Sequence, residues 1–276
     1  MPPIPPRAAA SRRPADVARA SSPCDATKSR PLGFGILSFG IYLGFGILGF
    51  GISGPRCAAQ YETQLVARVD QTLIVLEAPA PYVEVSRNLP DAFAQFRANV
   101  GAANRLIALY IPRLSLKDQL DGKTDRYRSM KVQVQRDMEP VHYSPADIQK
   151  MRDEYARGGV AQITLNDADT LFNVLDLSQF KRDGMQKILG LATLGENSYT
   201  LCIASSAEGI DARGARQVVS TVSCVTRLLI NEKILSLTVS SPEISAPELD
   251  TVLHMTAKWI TLLRAANPAP APNPPK

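Results

Sequence analysis

The residues best suited to acid–base chemistry are Glu139 and His142, which lie three positions apart on either side of Pro140, just before a helix start at Ser144. A histidine held near a carboxylate can act as a general base. These two residues are therefore the catalytic candidates of the chain, in a small hydrolase that uses His142. The same spacing is also typical of an exposed loop histidine with no catalytic role.

A second pair that could carry chemistry is Cys202 and Cys224, which are predicted to lie in the middle of two neighbouring β-strands. If the two residues are directly opposite each other, a disulfide between them is geometrically possible. Closing the chain between them would stabilise the fold by about 3 kcal/mol, and an oxidising compartment would preserve the bond. The alternative is two buried free thiols that pack as small hydrophobic groups.

Other patterns that would identify a reaction or a cofactor are missing from the sequence. It contains no G-x-S-x-G nucleophile motif, no glycine-rich nucleotide motif and no Cys or His spacing suited to zinc. Asp167 and Asp169 lack the glycine and the glutamate that complete a calcium loop. The sequence therefore predicts no cofactor and no metal, and it favours a protein that is not an enzyme.

The net charge of +5 belongs to the start of the chain. Residues 1–59 contain seven basic and two acidic residues, whereas the remainder contains 24 of each. A nucleic-acid-binding domain needs a basic surface, and the balanced remainder gives no sign of one. We therefore expect no nucleic-acid partner.

The first 54 residues divide into two segments of different composition. Residues 1–31 are rich in Pro, Ala, Ser and Arg, which predicts a disordered basic leader. Residues 32–54 are uncharged and glycine-rich, and within them LGFGILSFGIY is followed at once by the near copy LGFGILGFGIS. A run of this length predicts a signal peptide or a membrane anchor. A translated DNA repeat, with the true start codon further along the chain, is the alternative.

Small residues follow this apolar run, with Cys57-Ala58-Ala59 directly before Gln60. This is the pattern of a signal-peptide cleavage site. We therefore expect a periplasmic or secreted protein, possible membrane contact through residues 32–54, and an inner-membrane anchor if that run is not cleaved.

The remaining chain, residues 60–267, is predicted to be one α+β domain, followed by a disordered Pro/Ala tail at 268–276. Alternating or β-branched apolar runs predict the strands, and 3.6-residue periodicity with capping residues predicts the helices. The predicted strands are 72–77, 105–111, 127–135, 188–194, 198–204, 218–230 and 234–240, and the predicted helices are 88–103, 145–158, 166–179 and 246–266. This order indicates an antiparallel sheet covered by helices.

The end of the domain carries a family resemblance. The hairpin 218–240 and the helix with Glu248-Leu249, Trp259-Ile260 and Leu263-Arg-Ala-Ala-Asn267 resemble the Mog1/PsbP-like α/β/α sandwich, in particular exported bacterial proteins of that type. The resemblance implies a binding or assembly factor without catalytic residues. It carries over no site residue.

Three hypotheses for function follow. The first is an exported, non-catalytic envelope protein that binds a protein or a small ligand or assists assembly. The second is a small periplasmic hydrolase that uses His142, and the third is a structural subunit tethered by residues 32–54. Trp259, the one tryptophan in the sequence, could anchor a partner, but packing against the sheet is the more typical role.

Overall fold

The computed structural model describes residues 64–120, 127–173, 175–181, 184–210 and 216–268. The predictions for the leader, for the apolar repeat and for the tail from residue 269 onwards lie outside these ranges. Within the ranges, no helix combines the length and the apolar character needed to cross a membrane.

In these ranges ten strands form one large sheet and one separate hairpin. They are β1 (Gln64–Val69), β2 (Thr72–Glu77), β3 (Tyr82–Glu84), β4 (Asn104–Pro112), β5 (Ser129–Gln135), β6 (Gln162–Ile163), β7 (Gln186–Ala192), β8 (Ser198–Ile210), β9 (Arg216–Ile230) and β10 (Lys233–Ser241). Strands β1 and β2 pair with each other, and the large sheet has the order β3-β4-β5-β10-β9-β8-β7-β6. Its neighbours are antiparallel except for β6, which is parallel to β7. The predicted α+β fold is confirmed, and the sheet is mixed only at this edge.

Six α-helices and one short 3₁₀ helix accompany the strands in the described part of the chain. They are α1 (Val85–Asn88), α2 (Pro90–Ala98), α3 (Arg113–Leu120), α4 (Pro145–Arg157), α5 (Ala168–Asn173), the 3₁₀ helix (Leu177–Lys181) and α6 (Ala246–Ala266). The two long helices predicted from capping residues and periodicity, α4 and α6, are confirmed.

Two predicted helices are shorter in the structure. The first helix ends at Ala98 rather than near residue 103. The predicted helix 166–179 is divided into α5 and the 3₁₀ helix, and the Asp176 carboxylate accepts a hydrogen bond from the Ser178 N–H at 3.0 Å between them. A side chain that bonds to a nearby N–H competes with the helical hydrogen bond, which explains the interruption.

The strands β8 and β9 are longer than predicted. The segment 208–216 lies between the predicted strands 198–204 and 218–230, but Glu208 pairs with Val218 and Ile210 with Arg216 in the ladder. The sequence also gave no indication of β1, which pairs with the predicted strand 72–77 through a turn in which Asp70 has a φ of 53°. Both predictions failed because strand formation depends on hydrogen bonds from a neighbouring strand, which the composition of the segment itself does not reveal.

One face of the large sheet, here called the α6 face, is covered by α6, by the β1–β2 hairpin and by the segment from α5 to the 3₁₀ helix. Trp259 is fully buried in this layer, with its ring 6.0 Å from that of Tyr110 and nearly perpendicular to it. Its indole N–H donates to the Glu77 carbonyl at 2.8 Å. Packing is therefore the role of Trp259, as the sequence favoured.

Asn267 joins the same layer to the hairpin. Its side-chain amide bonds both backbone groups of Val75, at 2.8 Å to the N–H and 2.7 Å to the carbonyl. It also donates to the Leu263 carbonyl at 2.7 Å, which caps the end of α6. The Trp and Asn of the family-like pattern are thus the residues that fasten α6 to β2.

The start of α6 differs in one detail from the prediction. Ser245 accepts a hydrogen bond from the Glu248 N–H at 3.4 Å, as a capping residue does. In a capping box the Glu248 carboxylate would bond the N–H of Ser245, but it binds the Arg128 guanidinium and the Ser241 hydroxyl, the latter at 2.6 Å. The Arg128 guanidinium, directly before β5, is a stronger partner for this carboxylate than the N–H of the cap, because charge-assisted hydrogen bonds are stronger than neutral ones.

The opposite face, here called the α4 face, has two separate apolar clusters. One lies between α4 and strands β7 to β10, and the other lies between β3, β4 and helices α1 to α3. Between the two clusters run the centres of β5 and β10, which present polar side chains to this face. The α4 face is therefore apolar at its two sides and polar along its middle.

Candidate functional site

The two predicted catalytic residues have separate partners. The Arg105 guanidinium binds both oxygens of the Glu139 carboxylate, which also accepts from the Asp70 N–H at 3.3 Å. The Nδ1 atom of His142 lies 2.8 Å from the Glu232 carboxylate, and both side chains are more than 60% exposed. The structure thus places Glu139 in an ion pair and His142 on the surface, beside another acid.

The loop that carries Glu139 and His142 is held by a buried lysine. Lys233 is 1% exposed, and its Nζ donates to the Glu139 carbonyl at 2.9 Å, to the Val141 carbonyl at 3.3 Å and to Asp70 Oδ2 at 3.2 Å. The Lys233 ammonium thereby lowers the pKa of Asp70. All three ammonium hydrogens have acceptors, which is what a buried charge requires. This cluster ties β10 to the β1–β2 turn and is a structural clamp.

The strand pairing predicted for the cysteines is confirmed, since Cys202 is directly opposite Cys224. The disulfide is not formed in the structure. The two Sγ atoms are 3.3 Å apart and both residues are free thiols, whereas a disulfide bond is about 2.05 Å long. Burial raises the pKa of the Cys224 thiol well above its usual value. A thiol that stays protonated is a poor nucleophile, which is consistent with an inert core role for Cys224.

His254 on α6 has the role expected of a surface residue. It is about half exposed and lies 3.3 Å from the Asp250 carboxylate one helical turn away. Among the described residues, no group of three or more His, Cys, Asp or Glu side chains is arranged to hold a metal ion.

The feature that sequence reasoning missed is a polar patch in the middle of the α4 face. We define the polar patch as Lys131 and Gln133 of β5 together with Ser236 and Thr238 of β10. Ser236 is directly opposite Gln133, and Thr238 is directly opposite Lys131. Their neighbours along each strand point to the other side of the sheet and belong to the apolar core.

Two hydroxyl groups of the polar patch are buried without partners. Ser236 and Thr238 are each 3% exposed, and neither the Ser236 Oγ nor the Thr238 Oγ1 has a hydrogen-bond partner. The next polar pair on the same face differs, because the Ser223 hydroxyl donates to the Ser240 hydroxyl at 2.8 Å. A buried polar group without a partner costs about 1–3 kcal/mol, so two adjacent ones need an explanation.

Lys131 supplies the charge of the polar patch. It is half-buried, and burial lowers its pKa. Within the described residues its ammonium has no hydrogen bond and no ion pair, in contrast to the fully bonded Lys233. An unpaired cation beside two unpaired hydroxyls is an arrangement that can receive an acceptor from outside the fold.

The sequence contained a signal for this patch. In β5, Met130, Val132 and Val134 alternate with polar residues, which predicted a strand with one wet face. In β10 the apolar and hydroxyl residues alternate in the same way, but from that run only a strand was predicted. The prediction of a wet face for β5 is wrong at Gln133, which is 9% exposed, whereas Lys131 and Gln135 are half-buried.

No family model matches the chain, and no curated protein sequence matches it. Among solved structures the chain is similar to the Ran-binding protein Mog1p of Saccharomyces cerevisiae, at 11% identity and a TM-score of 0.31. It is also similar to a point mutant of the protein Mog1, at 12% identity and a TM-score of 0.33. Each match covers 70% of this chain and 88% of the other. With TM-scores this low, the matches decide neither the fold family nor the function of this chain.

Proposed function

We propose that this protein is a non-catalytic binding or assembly module of the bacterial envelope, and that the polar patch is part of its binding surface. The observation that carries the binding role is the group of two unpartnered buried hydroxyls beside the unpaired Lys131. A partner that supplies hydrogen-bond acceptors to these groups gains more than the same contact would give at a hydrated surface. The proposed location in the envelope comes from the composition of residues 1–59.

A binding role has more support than a catalytic one. General acid–base catalysis needs a titratable group placed next to a nucleophile or another proton-transfer group. Lys131 is the one titratable side chain of the polar patch, and its described neighbours there are a serine, a threonine and an amide. The patch can hold a ligand but offers no partner for proton transfer.

The hydrolase alternative has one observation in its favour. The Glu232 carboxylate lies 2.8 Å from His142 Nδ1, as the orienting acid of a catalytic histidine does. Among the described residues, however, no hydroxyl or thiol forms a hydrogen bond with the other ring nitrogen. Hydrolysis of nitrophenyl esters that is lost in His142→Gln and kept in His254→Gln would support the hydrolase and contradict the binding module.

The cellular location is tested by the N-terminal residue of the protein isolated from cells. We expect Gln60, which is the residue that follows the predicted cleavage site. Met1 in a protein recovered from the membrane fraction would instead support the tethered structural subunit. A start between these positions in a cytosolic protein would contradict export.

The binding surface is tested by a photoreactive amino acid at Ser129, which lies on the α4 face at the edge of the polar patch and is half-buried. The matched control has the same photoreactive residue at Lys258, which is exposed on α6. We expect irradiation of intact cells to give a discrete adduct at position 129 and none at position 258. Equal labelling at both positions, or none at either, would contradict a binding role for the polar patch.

A further inference from the structure

We infer that the polar patch binds one carboxylate group of its ligand, with Lys131 as the counter-charge and the Ser236 and Thr238 hydroxyls as hydrogen-bond donors. This inference rests on the proposed binding function and specifies the chemical class of the ligand. The carboxylate oxygens would accept from the Ser236 and Thr238 hydroxyls, which are buried without partners, and from the Lys131 ammonium.

The sign of the ligand charge follows from the side chains of this face. Strands β5, β8, β9 and β10 present no acidic residue to the middle of the α4 face in their described residues. Lys131 therefore lacks a counter-charge within the sheet, and an anion supplies it. A cationic or neutral ligand group would leave the ammonium half-buried and unpaired, which is unfavourable.

The number of charges favours a carboxylate over a phosphate. The second cation near the patch is Arg227, which is directly opposite Ser236 on β9 and 7% exposed. Its side chain is engaged by the Tyr199 hydroxyl, to which it hydrogen-bonds. Lys131 is thus the one cation of the polar patch itself, and a singly charged carboxylate neutralises it. A doubly charged phosphate would leave one negative charge uncompensated.

The surroundings of the patch indicate an apolar body for the ligand. On one side of Lys131 and Thr238 the neighbouring strand residue is Leu109, and on the other side it is Val225, followed by Leu201. All three are buried members of the flanking apolar clusters. A carboxylate that carries a hydrocarbon chain satisfies both the polar middle and the apolar sides of the α4 face.

The test uses decanoate as the probe and isothermal titration calorimetry on the protein as isolated from cells. We expect decanoate to bind at least 10-fold more tightly than decanol, which has the same chain without the charge. We expect decyl phosphate to bind more weakly than decanoate. Equal binding of decanol, or tighter binding of decyl phosphate, would overturn the inference.

Variants at the polar patch identify the site. Lys131→Met keeps the length of the side chain but removes the charge, and we expect a 10- to 100-fold loss of affinity, the range expected for a lost charge-assisted hydrogen bond. Lys131→Arg should retain most of the affinity, and Lys258→Met on α6 should leave it unchanged. Unchanged binding to Lys131→Met would overturn the inference.

A second variant guards against misfolding as a cause of lost binding. Thr238→Val has nearly the same shape and removes only the hydroxyl, and we expect roughly a 5-fold loss of affinity with the fold intact. If decanoate does not bind the unaltered protein while the photoreactive residue at Ser129 still gives its adduct, the carboxylate inference is wrong and the proposed binding function stands. If both experiments fail, the binding function is wrong as well.

Discussion

Strand β10 presents Leu235, Leu237 and Val239 to the α6 face and Ser236 and Thr238 to the α4 face. The first set is buried in a single continuous core that extends from the β1–β2 hairpin across α6 to the 3₁₀ helix. The second set lies between two separate apolar clusters. One strand therefore contributes to both the continuous core that holds the fold together and the polar patch.

Buried polar groups also differ between the α6 face and the α4 face. On the α6 face the hydroxyls of Thr200 and Thr226 are 2.8 Å apart, and the Thr256 hydroxyl donates to the Val252 carbonyl at 2.6 Å. The exceptions there are the Tyr110 hydroxyl and, on α6, the Arg264 Nε, which are buried without partners. Burial raises the pKa of Tyr110 far above its usual value, so this hydroxyl stays neutral. On the α4 face two adjacent hydroxyls and a cation are unpaired together.

The difference suggests how stability and binding are divided between the faces. A continuous apolar layer stabilises by the area it removes from water and needs no particular ligand. Unpaired polar groups reduce stability unless something binds them. Substitutions on the α6 face should therefore change stability, and those on the α4 face should change binding.

The largest effect is expected from Trp259→Ala on the α6 face. The substitution removes a fully buried indole and leaves the Glu77 carbonyl without its donor, so the free energy of unfolding should fall by about 3–5 kcal/mol. Urea denaturation followed by circular dichroism measures it. His254→Ala on the exposed side of the same helix is the control. A loss below about 1 kcal/mol for Trp259→Ala would mean that α6 is not a structural layer.

A smaller loss is expected from Lys233→Met at the edge of the same face. Three acceptors lose their donor, and we expect the free energy of unfolding to fall by about 2–3 kcal/mol. Lys131→Met is the matched control, because that ammonium has no described partner and its loss should cost nothing or stabilise slightly. Equal losses for the two variants would contradict the difference between the paired and the unpaired lysine.

The fall in the free energy of unfolding at acidic pH should depend on Glu248, which fastens α6 to β10 and to the residue before β5. The hydrogen bond and charge of Arg128 lower the pKa of Glu248. The resulting stabilisation is present above the unfolded pKa of about 4.3 and is lost as the pH falls through the lower, folded value. Glu248→Gln should lose about 1 kcal/mol at pH 7 and less below pH 4. A constant difference between pH 7 and pH 3 would contradict this role.

The sharpest test of the comparison is one substitution made on both faces. Thr226→Val on the α6 face leaves the Thr200 hydroxyl without a partner and should destabilise by about 1 kcal/mol. Thr238→Val on the α4 face removes a hydroxyl that has no partner and should stabilise by a similar amount. Chemical denaturation of both variants in parallel gives the two signs. Destabilisation of equal size in both would show that the Thr238 hydroxyl is already satisfied.

The smallest effect is expected at the exposed pair of His142 and Glu232, which belongs to neither face. Exposed ion pairs contribute about 0–1 kcal/mol, so His142→Gln should change stability by less than about 0.5 kcal/mol and leave decanoate binding unchanged. The stability changes of the other variants are to be compared with this small change. A change in decanoate affinity would place His142 at the binding surface.

Much of the fold could be read from local sequence. The hairpin of β9 and β10 follows from two β-rich runs joined at Asn231 and Glu232, both of which have positive φ in the structure. Helix α6 follows from Ser245, Pro247 and a regular apolar stripe. In each case the residues that determine the element lie within a few positions of one another.

The candidate site could not be read in the same way. The polar patch is formed by residues about 100 positions apart, and the chemistry of Ser236 becomes visible only when Gln133 is opposite it. Likewise Glu139 and His142 are neighbours in sequence, but their partners Arg105 and Glu232 come from strand β4 and from the β9–β10 turn. Spacing along the chain identified the candidate residues, whereas only the tertiary structure showed which partners they bind.

By itself the sequence determined the element types, the faces of the long helices and the apolar sides of the strands, because periodicity and capping are local properties of the chain. The tertiary structure alone decided the strand order, the interruption of the apolar layer on the α4 face and the loss of partners at Ser236 and Thr238. The physical reason is that hydrogen-bond satisfaction of a buried group depends on its neighbours across the sheet, which strand pairing places together from distant parts of the chain.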